Sequence, residues 1–223
     1  MPSPKILLSW SSGKDAAWAL HTLRQAGTPP AGLLTTVNEA FGRVAMHAVR
    51  EELLEAQAEA AGLPLRKVRI PYPCTNEAYE AAMGAACAAA VVDGFTHVAF
   101  GDLFLEDVRD YRIQKLAGSG LEPLFPLWGQ PTAALARAMI AGGLAARITC
   151  VDPRTLDPAF VGRAFDADLL AALPPEIDPC GERGEFHTFC HAGPMFHRAI
   201  PIQPGEVVTR DGFTFADLRP AWG

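Results

Sequence analysis

The chain has 223 residues, 49% of them hydrophobic and 20% charged, with a formal net charge of −6. That length buries a good core, as one domain with an appendage or as two small domains. The acidic balance without a run of five like charges argues against a general nucleic-acid binder, and no apolar run approaches a membrane span, so neither nucleic acid nor membrane is expected as a partner.

The apolar run Ile6-Leu7-Leu8 predicts a first strand (Ile6–Trp10), and Ser11-Ser12-Gly13 a tight turn opening a helix over Lys14–Gln25. Helical spacing recurs over His47–Ala61, Asn76–Val92 and Asp107–Leu116. Strands are expected at Leu33–Val37, Leu65–Ile70, His97–Phe100 and Arg147–Val151. Gly27, Gly62 and Gly94 stand where helix C-caps belong. The alternation predicts an α/β fold: a doubly wound, parallel five-stranded sheet with a smaller C-terminal α+β lobe. Beyond Gly118 the stretch Leu121–Gly129 reads as a stiff connector. A helix (Thr132–Ala141), a Pro-rich stretch and short β segments follow, the last two hinged as a hairpin at Asp211-Gly212. The expected division is 1–120 for nucleotide binding and 121–223 for the acceptor, with the 145–151 strand a candidate addition to the first sheet. Cys74, Cys87, Cys150, Cys180 and Cys190, odd in number and widely spaced, read as free thiols. The first residues run into the turn without a leader-like segment, and the expected location is cytoplasmic.

The turn after the first strand aims backbone N–H groups and the positive end of a helix dipole at one point, which suits an anion such as phosphate. It is neither of two familiar loops. A Walker A loop needs glycine where Leu8 stands and Ser or Thr where Asp15 stands, and G-x-G-x-x-G is missing. Ligands of such sheets bind at the carboxyl ends of strands. There the sequence places Thr35, Thr36 and Asn38, and Gly101-Asp102, with Tyr111 and Arg112 as the site-like pair on the following helix. Arg43, Met46 and His47 follow the second strand; a cation or imidazole there can meet phosphate or a substrate carboxylate, although His47 is equally readable as an ordinary polar residue at a helix start.

The second dense segment, Cys180–His191, holds Glu182, Glu185, His187 and His191 between turn glycines. Its C-x6-H-x2-C-H spacing fits no common zinc pattern, and adjacent Cys190 and His191 point to opposite faces of a strand. A polar substrate loop is the better reading, with Glu182 and Glu185 suited to an amine or another cation.

Ser11–Asp15, Gly101-Asp102, Glu122–Trp128, the Ala145–Val151 strand, Leu156 with Gly162-Arg163, Asp178–Thr188 and Gly193–Phe196, taken in order, resemble the diphthine–ammonia ligase (diphthamide synthase) family of PP-loop ATP pyrophosphatases. Ser12 stands where the PP-loop pattern S-G-G-K-D-S has glycine, and Ala16 where it has serine. With the compact Val37–His47 segment, these departures resemble a divergent branch of the family. The resemblance implies a PP-loop/HUP-like fold and an AMP- and pyrophosphate-forming amide ligase. Such an enzyme adenylates a carboxylate on a small molecule or a modified protein side chain, then transfers ammonia or an amine. It implies ATP held by Ser11, Ser12, Gly13, Lys14, Asp15, Thr36, Gly101 and Asp102, and Mg²⁺ on Asp15 and Asp102. Catalysis would fall to Lys14, Asp15, Asp102, Glu182 and Glu185, and the acceptor to His47, Tyr111, Arg112, Glu182, Glu185 and His187. A homodimer stays open. Two other readings remain: a non-catalytic adenine-nucleotide sensor of the same fold, and a metal-dependent hydrolase centred on Cys180–His191.

Overall fold

A computed structural model describes residues 4–44 and 47–222. Among the described residues ten strands and six α-helices follow in chain order. The first half comprises β1 (Ile6–Ser9), α1 (Lys14–Gln25), β2 (Gly32–Asn38), β3 (Arg43–Val44), α2 (Glu51–Ala61), β4 (Leu65–Ile70), α3 (Asn76–Val92), β5 (His97–Ala99) and α4 (Glu106–Leu116). The second comprises β6 (Glu122–Leu124), α5 (Thr132–Ala141), β7 (Ala145–Val151), α6 (Ala167–Ala172), β8 (Phe186–Ala192), β9 (Ile202–Arg210) and β10 (Phe213–Pro220).

Five strands run parallel in the order β4-β2-β1-β5-β6, and the two-residue β3 pairs antiparallel with the end of β2. The chain winds outward from β1 and returns to β5, so the direction reverses between those two strands, which is where open α/β sheets place ligands. Both faces are covered. Ile6 and Leu8 join the core built on α1 and α2, whereas Leu7 points into a second core beneath α3 and α4. That alternation explains why β1 is apolar throughout.

The expected parallel sheet of five strands is present, with one change of membership. Its fifth strand is Glu122–Leu124, inside the stretch read as a connector. Ala145–Val151 instead joins a separate antiparallel sheet, β8-β7-β10-β9. This second sheet packs on the α1/α2 face and shares its core: Ile148, Phe186, Phe189 and Leu218 lie with Leu20 and Leu54. The Asp211-Gly212 hinge forms as expected, with φ of 52° and 80°. Among the described residues no helix is long and apolar enough to cross a membrane.

Two helices carry local signals worth following. Gly13 caps α1 without a side-chain acceptor of its own. The N–H of Lys14 donates instead to the Thr188 hydroxyl, 3.1 Å away on β8. α3 begins at a conventional cap, with the Thr75 hydroxyl accepting from the Ala78 N–H at 3.2 Å, yet over its 17 residues only Ala90 is buried.

Candidate functional site

The site forms around the turn between β1 and α1. Ser12 adopts φ of 71°, in the left-handed region, at the position where the PP-loop pattern has glycine. Other elements hold the turn in place. The Ser12 carbonyl accepts from the Cys190 N–H at 2.9 Å and from Gln57 Nε2 at 3.0 Å, and Gln57 Oε1 accepts from Trp10 Nε1 at 2.9 Å. Gly101, just past β5, presses on the first turn of α1. A Cβ there would lie 3.0 Å from the Ala16 nitrogen, so any larger residue would have to push the helix backbone aside. The two strand ends flanking the topological switch are thus locked together.

The charged groups are paired with one another. Lys14 is buried, its ammonium held by the Asp15 carboxylate (2.8 Å) and the Cys180 carbonyl and placed 5.5 Å from the ring centres of Phe165 and Phe186. Burial, the largest effect, would lower the Lys14 pKa, but Asp15 together with Cys180 and Glu182 outweighs it and the ammonium is held above its ordinary range; burial pushes the Asp15 carboxyl up against the pull of Lys14. Asp102 accepts from Arg112 Nε at 3.0 Å. Glu182 projects between them, Oε1 accepting from the Leu103 N–H at 2.7 Å. Burial raises its carboxyl to about 7, against the Leu103 N–H, with Asp15 and Asp102 adding to the rise.

Glu185 does not face this space. Its two oxygens accept from the N–H groups of Asp178 and Arg183, each at 3.0 Å, so it organises the loop from within. Asp178 acts likewise, accepting from the Glu182 N–H at 3.0 Å. Glu185, expected among the catalytic groups, is 3% exposed with both oxygens on loop amides. Lys14, at the first helical position, reaches into the second lobe, where its ammonium meets the Cys180 carbonyl.

His47 lies in a turn ahead of α2, which starts only at Glu51, and Met46 falls outside the described residues. Its Nδ1 is 3.1 Å from the Thr188 carbonyl, so Nδ1 carries the proton and Nε2 is left as the acceptor. The His187 ring lies 4.7 Å from it, centre to centre. Burial keeps both imidazoles neutral, lowering His47 to about 4 and His187, with His47 and Lys14 adding to the effect, to about 3.

A cavity of about 640 Å³ opens beside the turn. Ser11, Thr35, Thr36, His47 and His187 line its polar end, and it extends beneath α3 and α4 to Tyr111 and Arg112. The Thr35 hydroxyl, on a residue 4% exposed, has no protein partner, which suits a polar ligand atom at that end. A divalent cation fits less well. Asp15 and Asp102, expected as its ligands, are each matched to a cationic side chain, and no group of three or more His, Cys, Asp or Glu among the described residues is disposed to hold a metal.

Sequence reasoning missed Thr188 and Gln57. Thr188 leaves no local signal, since its partner is 174 residues away. Gln57 left one: it is a polar residue four positions after Leu53 on the apolar stripe of α2, and it is fully buried.

Residues 132–219, from α5 to within β10, match the family model described as the diphthamide synthase C-terminal domain. Over about half of its length the chain is also similar to diphthine–ammonia ligases. It is 31% identical over 120 residues to the diphthine–ammonia ligase of Homo sapiens, which covers 51% of this chain and 45% of that protein. The Danio rerio enzyme of the same name is 32% identical over 120 residues, covering 51% and 47%. The chain therefore spans about half the length of the relatives it matches. The diphthamide synthase match contains the 178–188 loop and Thr188, the residue that caps α1.

Proposed function

We propose that the chain is an ATP-dependent C–N ligase. A substrate carboxylate oxygen attacks the α-phosphorus, the bond to the β-phosphate breaks, and pyrophosphate leaves. Ammonia or an amine then attacks the acyl carbon, the bond to AMP breaks, and the nitrogen sheds a proton as the amide forms. The observation that carries this reading is the left-handed turn at Ser12, fixed at the positive end of α1, on the sheet's switch point and beside a chamber large enough for a nucleotide.

In this reading Ser11–Gly13 and the start of α1 receive the phosphates, and Thr35 and Thr36 meet the nucleoside. Lys14 and Asp15 tie the turn to the 180–185 loop. Glu182, titrating near neutrality, takes the proton from the nitrogen. Residues 1–120 bind nucleotide and 121–223 supply the 180–185 loop that faces the reacting carboxyl end of the acceptor, in a cytoplasmic setting. The names of the relatives make diphthine and ammonia the first substrates to test. No step is assigned to Mg²⁺, because the carboxylates proposed for it are already paired.

The test is incubation with ATP, magnesium and ammonium across acids that include diphthine-bearing protein, with AMP and pyrophosphate measured. Both products are expected in equal amounts. Their absence with every acceptor overturns the ligase. A second reading, a nucleotide sensor, is favoured by the mutual pairing of Lys14 with Asp15 and Asp102 with Arg112. ATP binding without either product would establish it.

A further inference from the structure

The chamber beside the turn has two unlike halves. The inner half is polar and belongs to the site above. The outer half lies between the sheet and two helices whose inner side chains stay half-buried: α3 fully buries only Ala90 and α4 only Leu116. Its floor is Leu34, Ile70, Val98 and Phe100, and Met83 and Cys87 of α3 roof it. Layers of an α/β fold normally pack at crystal-like density, so an unfilled apolar space between helix and sheet is unusual unless a ligand completes it.

Where the halves meet stands Arg112. Its guanidinium lies 4.5 Å from the centre of the Phe100 ring and gives Asp102 bonds at 3.0 and 3.5 Å. A guanidinium has five N–H donors, and the Asp102 pairing takes two of them. Tyr79 lies beside it, its phenol raised chiefly by burial. A cation at the boundary of an apolar pocket and a phosphate-receiving turn is placed to hold a carboxylate whose hydrocarbon body lies in the pocket.

We propose that the outer half of this chamber is the acceptor subsite, and that the acceptor is a free organic acid with a flat apolar body lying under α3 and its carboxylate on Arg112. This rests on the ligase reading for its chemistry, but the binding is measurable without turnover. The space is enclosed by sheet and helices on opposite sides, which suits a detached molecule better than a side chain presented by a folded protein.

The probes are 3-phenylpropionate and imidazole-4-propionate, titrated calorimetrically into the protein saturated with α,β-methylene ATP. One or both acids are expected to bind alongside the nucleotide. Met83→Trp, which fills the roof, is expected to weaken acid binding by about tenfold or more while leaving nucleotide affinity within about twofold. Cys87→Phe gives a second filling variant should the first fold poorly. In the wild type, the acids should slow alkylation of the Cys87 thiol by N-ethylmaleimide. Failure of both acids to bind overturns the proposal. So does an equal loss of nucleotide affinity in the filled variants, which would make this half the adenosine pocket, or binding of a peptide-borne carboxylate that the filling variants leave untouched. Acid binding here, with no AMP formed when the same acids are supplied with ATP, magnesium and ammonium, would support the subsite and count against the ligase reading alone.

Discussion

The ammonium of Lys14, at the first position of α1, donates to the carbonyl oxygen of Cys180, 166 residues further along the chain. A residue that the loop motif suggests for phosphate is in this fold a buried strut between two lobes. Lys14→Met leaves Asp15 without its partner in a largely desolvated place. The expected cost is about 3 kcal/mol, at the low end for breaking a buried pair because Asp15 keeps 27% exposure. Adding Asp15→Asn should recover more than half of it. Urea unfolding of both variants checks this, and a double variant no better than the single would contradict the pairing.

Glu182 predicts a stability that declines with rising pH. The carboxyl titrates near 4.5 in a free chain and at about 7 in the fold, so between those values the native state holds the extra proton. Its contribution is present below pH 4.5, is lost as pH rises to 7, and stays flat beyond. Glu182→Gln keeps an acceptor for the Leu103 N–H and cannot ionise. Thermal melts should show the variant more stable than wild type at pH 8 and close to it at pH 4.5; equal stability at pH 8 would argue against a strained carboxylate.

The imidazole pair acts in the opposite sense. A free histidine titrates near 6.5, whereas burial holds His47 near 4 and His187 near 3, so the unfolded chain takes up protons first. Stability from this pair is complete above pH 6.5 and declines as pH falls through 4 toward 3. His187→Phe retains a ring against His47 and removes one proton site. Its acid limb should be shallower, with little change at pH 7.5, as followed by circular dichroism.

Ser12 stands in left-handed backbone with a buried hydroxyl that has no partner. Ser12→Gly relieves both penalties at the cost of some unfolded-chain entropy, and should stabilise the fold by about 1 kcal/mol. The bonds to Gln57 and Cys190 use the Ser12 carbonyl and survive. A destabilised glycine variant in chemical denaturation would mean the hydroxyl has a partner.

Helix limits were legible wherever periodicity and a terminating signal coincided: α1, α3 and α5 begin and end at the expected residues. Sheet membership was harder to read. The apolar 145–151 segment reads as a strand from its composition, yet nothing local says whether it extends the parallel sheet or joins another. β6, three residues long with Pro123 in the middle, carries almost no strand signal; its identity comes from pairing with β5. In the candidate site the residue types were readable and their partners were not. Glu182 and Glu185 are two carboxylates three positions apart, and only the loop's folding turns one toward Leu103 and the other onto its own amides.

Asp217 of β10 accepts from both Arg43, at 2.9 Å, and Arg50, at 3.0 Å, which bracket the segment carrying His47. Strands β1, β2 and β4–β6 precede it in synthesis and can align as soon as they emerge, but Arg43 and Arg50 lack their shared carboxylate until β10 has been made. On the ribosome the chain would thus hold an assembled parallel sheet with one wall of its chamber still open, and the chamber's shape becomes a late event of biogenesis.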